Sequence, residues 1–285
     1  MKDRYLAKID RNSKPYVRWL QTALNKTLGT HLQVDGILGI ETRGVIKRFQ
    51  QLQGLVVDGI AGPQVECPLV LDGFSKPPGS RILTPSFSTT QTLRQKVAQL
   101  AAQEWILWDE GLIKEDDPGI RPVLEDYWCT GVHWFPPGPK WWENWAWSAA
   151  FISWIMRHAG AGNDFAYSKA HTDYVGEAKQ NKLANNSNPF KAYKIDEAAP
   201  RIGDLVCKEI QNSGVTYDNV DQGFKPSHCD IVTAVNPYLL HTIGGNVSHS
   251  VSMTTVEIDE NGHITEKGYY AVVRVGNSDP GQLTS

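Results

Sequence analysis

The stretch LQVDGILG at positions 32–39 returns as LVVDGIAG at 55–62, with Leu, Val, Asp, Gly, Ile and Gly in matching places. A repeat at this short spacing limits the fold, because two equal turns must be served by equal elements on either side. Between the copies, ETRGVIKRFQQLQG sets Val45, Ile46, Phe49 and Leu52 on one helical face, and ahead of the first copy Val17, Leu20, Gln21 and Leu24 recur at the same period. Each Asp-Gly reads as a turn closing a short loop before the next helix, since Gly accepts positive φ and Asp bonds nearby backbone N–H groups. The pattern predicts a small three-helix unit. A generic helical mini-domain with duplicated turns satisfies the same spacing.

The order V-x-x-LQ-x-x-LN, L-x-VDG-x-x-G-x-x-T, V-x-x-FQ and GL-x-VDG-x-x-G, from Val17 to Val65, resembles the peptidoglycan-binding domain type 1. That resemblance implies a wall anchor without catalysis of its own, which delivers the rest of the chain to murein. A wall-binding domain is therefore expected over residues 1–67. PLVLDGFSKPPGSRILTPSFSTT (68–90) has the Pro and Ser content of a linker, and a second domain is expected over 91–285, folding alone from near Thr90.

With 285 residues, 41% apolar composition, ten Trp and ten Tyr, the chain has enough apolar side chains for two cores. A net charge of −3 and a pI near 6.2 lack the basic excess of a nucleic-acid binder. The N-terminus carries Lys2, Asp3, Arg4, Lys8, Asp10 and Arg11 without an apolar run, so no signal peptide is expected there, and no segment reaches membrane-spanning length. Four cysteines, Cys67, Cys129, Cys207 and Cys229, are widely spaced without a C-x-x-C pair.

Thr92 to Gln95 reads as a capping box, followed by Leu93, Val97, Leu100, Ala101 and Trp108 at helical spacing. From Tyr127 to Trp147 come eight aromatic residues broken by PPGP, suited either to stacking on sugar rings or to packing as a core lid. Beyond them, Ser148 to Met156 is apolar on all faces except Ser153, which predicts a centrally buried helix ended by AGAG (159–162). Ser148 is expected at its N-cap, where serine is favoured for structural reasons alone. IGDLVCKEI (202–210), HCDIVTAV (228–235), LLHTIGGNV (239–247) and YYAVVRVG (269–276) read as strands. The expected class is α+β: a three-helix unit, then a buried helix packed on an antiparallel sheet.

WSAAFISWIMRHAG resembles the W-C-A-x-F-V-x-W motif of CHAP-type amidohydrolases and their NlpC-type relatives, and I-GDLV, SHCDIVTAV and TIGGNVSHSV resemble their later strands. With YS-x-AH-x-x-Y (167–174), these stretches look more closely like an uncharacterised family of that superfamily with serine at the nucleophile position. The resemblance spans Leu93 to Val275 and implies a papain-like fold. Carried over, Ser148 takes the nucleophile position, His228 the general base, and Asn246 the residue that orients the imidazole. Helix position alone lowers a thiol pKa usefully but cannot ionise a serine hydroxyl, so the base must lie within hydrogen-bond reach. Asp230 shares the His228 face by strand alternation and is the alternative orienting group. His171, Tyr174, Trp145 and Trp147 are candidate substrate contacts.

Cys207 and Cys229 fall on neighbouring strands, where two buried thiols are the simpler reading and a cross-strand disulfide the other. A zinc site with His228 is opposed by their facing directions, so no metal and no cofactor is expected. The functional expectation is a monomeric murein amide hydrolase, a muramoyl–alanine amidase or stem-peptide endopeptidase. Made in the cytoplasm, it would act at the cell wall as a toxin injected by a contractile secretion machine, matched by a periplasmic immunity protein. The alternatives are a phage endolysin, or a non-catalytic wall-binding protein with a degenerate hydrolase domain. Glycan cleavage needs paired carboxylates that no motif supplies.

Overall fold

The structure is a computed structural model and describes residues 9–80, 85–138 and 140–276. Its helices are α1 (Lys14–Leu28), α2 (Ile40–Leu52), α3 (Pro63–Leu71), α4 (Leu93–Leu107), α5 (Arg121–Asp126), α6 (Trp141–Asn144), α7 (Ser148–Ala159) and α8 (His171–Leu183). Its strands are β1 (Lys191–Tyr193), β2 (Leu205–Glu209), β3 (Ser227–Asn236), β4 (Leu239–Val247), β5 (Ser250–Glu257) and β6 (Tyr269–Arg274). Contacts divide the chain into two compact units, one from Met1–Leu83 with Glu115–Trp145 and one from Thr84–Lys114 with Ala146–Ser285.

In the first unit, Ser13 caps α1 by accepting from the Tyr16 N–H, and Gly29 at φ 62 ends the helix in the left-handed conformation that glycine tolerates. Tyr16, Val17, Leu20, Leu24, Ile46, Phe49, Val65 and Leu69 form the core. Leu52 departs from the helical-face expectation, since the last turn of α2 leaves it 64% exposed.

The repeat has a duplicated physical cause. Gln21 donates to Asp35 Oδ1 at 2.9 Å and to the Ile37 carbonyl at 3.1 Å, while its Oε1 accepts from the Gly36 N–H at 3.0 Å. Gln50 does the same to Asp58 at 2.7 Å, the Ile60 carbonyl at 3.1 Å and the Gly59 N–H at 2.8 Å. Each helix thus locks the loop that follows it, and Gly36 and Gly59 stand at φ 80 and 77, where a side chain would be strained.

The expected linker differs from what forms. α3 runs to Leu71, and Pro63 at its start presets the helical φ. The boundary also differs, because residues 115–145, expected in the second domain, pack with the first unit. Cys67 of α3 is disulfide-bonded to Cys129, Arg11 pairs with Glu66 at 2.6 Å and Glu125 at 3.0 Å, and Lys76 pairs with Asp126 at 2.6 Å. The aromatic run is mostly packing here: Trp134 meets Trp128 and Trp145 edge-on, and Phe135 meets Trp141 in the same way.

The second unit centres on an antiparallel sheet, in the order β1-β6-β2-β3-β4-β5 among the described residues. α4 opens it with the expected capping box, Thr92 and Gln95 each satisfying the other's backbone N–H. α4 packs on α7 and β3, and α7 packs on β3 and β4. Gly245 permits that approach: a β-carbon there would lie 2.5 Å from Phe151 Cβ and 2.9 Å from Trp147 Cζ3. Five elements have no counterpart in the sequence reading: α5, α6, α8, β1 and β5. The two-buried-thiols reading of Cys207 and Cys229 is also corrected, because they sit directly opposite in the β2–β3 register, 4.1 Å apart at Cα, and are disulfide-bonded. Among the described residues, no helix is long and apolar enough to cross a membrane.

Candidate functional site

Ser148 is not the cap of α7. Trp147 occupies that position, and Ser148 is the first helical residue. Its hydroxyl turns to another element: Oγ lies 2.6 Å from Nε2 of His171, the first residue of α8. His171 Nδ1 meets the Tyr174 hydroxyl, one turn along the same helix. Ser148, His171 and Tyr174 are all buried.

A second imidazole stands beside the first. His228 and Asp230, on one face of β3, bond through Nε2 and Oδ1 at 2.7 Å. The ring centres of His171 and His228 are 5.3 Å apart. The carboxylate only accepts, so His228 Nε2 carries a proton toward it. Asp230 Oδ2 is buried without a hydrogen-bond partner among the described residues.

Charge is unequal between the two rings. Burial, and then the charge of His228, hold the His171 imidazole well below its ordinary value, so it is neutral near neutral pH. Burial pushes the Asp230 carboxyl up, but the charge and hydrogen bond of His228, with Lys208, outweigh it and hold the group below the usual value. Burial, with Tyr270, Asp230 and Asp173, raises Tyr174 far above the ordinary phenol range, so it stays protonated.

The structure brings together Ser148, His171, Tyr174, His228 and Asp230. It corrects one expectation of detail, since the hydroxyl meets His171 rather than His228, and of the two orienting candidates, Asn246 and Asp230, it is Asp230 that meets Nε2 of His228. Asn246 sits at φ 60 in an irregularity of the β4–β5 register, between Gly244 and Val247. Trp147 is fully buried in a stack on Trp108, 5.0 Å between rings, which makes it a packing residue rather than a substrate contact. Trp145 belongs to the first unit.

Sequence reading missed Gly244. A β-carbon there would stand 1.8 Å from Asp230 Oδ1 and 3.0 Å from His228 Nε2, so the pair fits only beside a glycine. The signal was present, since Gly-Gly inside a strand marks a close approach. Among the described residues, no cluster of three or more His, Cys, Asp or Glu is arranged to hold a metal ion.

The arrangement defines an α+β protein with a hydroxyl–imidazole pair at the start of a buried helix, preceded by a helical repeat unit. Residues 13–66 match the family described as putative peptidoglycan binding domain, so a peptidoglycan-binding domain is present at the N-terminal end. Residues 127–276, more than half of the chain, match the family described as uncharacterized protein conserved in bacteria (DUF2272), and the chain belongs to that family. No curated protein and no solved structure matches it.

Proposed function

We propose that the chain is a peptidoglycan hydrolase that cleaves an amide bond through Ser148, in a papain-like domain of the CHAP and NlpC kind. The observation that carries this reading is the 2.6 Å approach of Ser148 Oγ to His171 Nε2 at the first position of α7. A nucleophile with a base in hydrogen-bond reach, itself held by a third group, is the arrangement covalent acyl transfer needs. The first N–H groups of a helix have no intrahelical partners, so those of α7 suit the oxyanion of a tetrahedral intermediate. The peptidoglycan-binding domain supports peptidoglycan as substrate, because tethering raises the local concentration of the wall around the site. Delivery as an antibacterial toxin, countered by an immunity protein that plugs the site, is part of the same proposal.

A second reading, recognition of the wall without cleavage, is favoured by the burial of Ser148 and His228, each 8% exposed. Incubating purified sacculi with the full chain and weighing the products by mass spectrometry decides between them. Free stem peptides or shortened stems are expected, and they should vanish in Ser148→Ala. Intact sacculi, or products undiminished in that variant, overturn the hydrolase reading through Ser148.

A further inference from the structure

The two imidazoles have different supports, and we propose that they divide the proton transfers of amide cleavage: His171 takes the proton of the Ser148 hydroxyl, and His228, held by Asp230, delivers one to the departing amine. This rests on the serine-hydrolase reading and assigns a second catalytic residue within it.

The first support is connectivity. Both ring nitrogens of His171 are occupied, Nε2 by Ser148 Oγ and Nδ1 by the Tyr174 hydroxyl. With Nε2 accepting from serine, the proton of a neutral imidazole sits on Nδ1 and points at the Tyr174 oxygen, so the ring is set as a base for Oγ. It has no further nitrogen for a leaving group. His228 bonds protein through Nε2 only, and its Nδ1 has no protein hydrogen-bond partner among the described residues. That nitrogen is the one the proposal assigns to the leaving group.

The second support is charge. Asp230 is 1% exposed, and among the described residues its side chain accepts one hydrogen bond, from His228. A buried carboxylate so poorly solvated depends on the donor it has, and that donor is the His228 ring. Among the described residues His171 has no carboxylate partner, and a charge on His228 opposes a second one 5.3 Å away. The ring without a carboxylate therefore touches the nucleophile, and the ring backed by one stands beside it. This is the distribution that an acid and a base require.

The steps balance. As Ser148 Oγ bonds the carbonyl carbon, its proton passes to His171 Nε2. The C–N bond breaks while the amine nitrogen takes a proton from His228 Nδ1. In the second half, water bonds the acyl carbon and gives its proton to His228 Nδ1. The C–Oγ bond then breaks, and Oγ recovers its proton from His171 Nε2. Amide and water become acid and amine, and both rings return to their starting states.

A fluorophosphonate separates the two roles, because it is attacked by an activated serine and expels fluoride, which needs no proton. In the full-length protein the probe is expected to label Ser148. His228→Ala and Asp230→Asn should be labelled at close to the wild-type rate, yet lose about 100-fold or more of sacculus cleavage, the usual worth of a general acid. His171→Ala should lose both. Where an alanine variant does not fold, as judged by circular dichroism, His171→Gln and His228→Gln carry the comparison. Labelling lost in His228→Ala but kept in His171→Ala overturns the division and leaves a serine hydrolase with His228 as base. Equal effects of the two variants on labelling also overturn it. So does an unlabelled wild type, and if Ser148→Ala then digests sacculi normally, the serine reading falls with it.

Discussion

Gly244 lies directly opposite Asp230 across the β3–β4 ladder, and a single added methyl there would stand 1.8 Å from the carboxylate oxygen that holds His228. The ladder fixes this opposition, since Ile231 pairs with Ile243 one position away. The His228–Asp230 pair therefore depends on a side chain that is missing from the neighbouring strand. Gly244→Ala is expected to push Asp230 off His228 and to destabilise the second unit by about 1–3 kcal/mol, the usual effect of overpacking. Nitrogen-detected NMR of the His228 ring reads the first effect and a denaturant midpoint the second. A variant with unchanged ring signals and unchanged stability would show that the strands yield freely, and would remove Gly244 from the site.

The paired glutamine clamps of the first unit allow an internal comparison. Gln21→Ala leaves the buried Gly36 N–H without its acceptor, and Gln50→Ala does the same to Gly59. Each substitution is expected to lower stability by about 1–3 kcal/mol, the desolvation penalty of an orphaned buried donor, and the two should be similar because the geometry repeats. Each loop also carries exposed apolar residues, Ile37 in the first and Ile60 in the second. Sedimentation with sacculi after either change should show which copy serves wall binding, and a stability loss in only one of them would mean that the repeat is geometric without being energetic.

The first unit was legible because its sequence states its geometry twice: a helical period, an Asp-Gly turn and a glutamine one helix back are local facts. Strands β2, β3, β4 and β6 were legible for the same reason, through alternation and bounding turns, whereas β5 was not. Three features escaped. α8 has no clean apolar stripe, since it buries Thr172, Lys179 and Asn181 alongside Tyr174 and Val175, so His171 and Tyr174 were not seen as helical neighbours. The partner of Ser148 depends on how two distant helices meet, and no spacing records that. The grouping of residues 115–145 with the first unit is likewise a matter of long-range contact, carried by one disulfide and several ion pairs. The Gly-Gly of β4 was readable and was passed over.

That grouping bears on where the chain can be cut. A protein beginning at residue 91 keeps Cys129, Glu125 and Asp126 but loses Cys67, Arg11 and Lys76, which bond to them. It is then left with a lone thiol and buried carboxylates stripped of their cations, each a large penalty. The truncated chain is expected to show one thiol reactive toward a disulfide reagent, a broadened melt over residues 115–145 by hydrogen exchange, and poor solubility. Cooperative melting at the temperature of the full chain, with protected amides throughout 115–145, would mean that this segment draws its stability from elsewhere.

Two buried groups should pull stability in opposite directions as pH falls, one in each unit. His171 is held below its ordinary value by burial and by His228, with Asp230 behind that ring, the Tyr174 phenol on its other side and the Ser148 hydroxyl against it. The unfolded state therefore binds a proton at His171 before the folded state does. The stability it supports is full above about pH 6.5 and is lost below that, by up to about 1.4 kcal/mol per pH unit. Glu125 has the reverse sign: burial, opposed by Arg11 and reinforced by Glu66, pushes its carboxyl up to about 7. The folded state holds that proton while the unfolded state has already released it, so stability rises as pH falls from about 7 toward the ordinary carboxylate value. Denaturant midpoints at pH 7.5 and 5.5 test both signs against variants that cannot titrate. Wild type is expected to lose ground relative to His171→Gln on acidification and to gain it relative to Glu125→Gln. A gap that stays constant with pH for either pair would show that the group ionises in the folded protein as freely as in the unfolded chain.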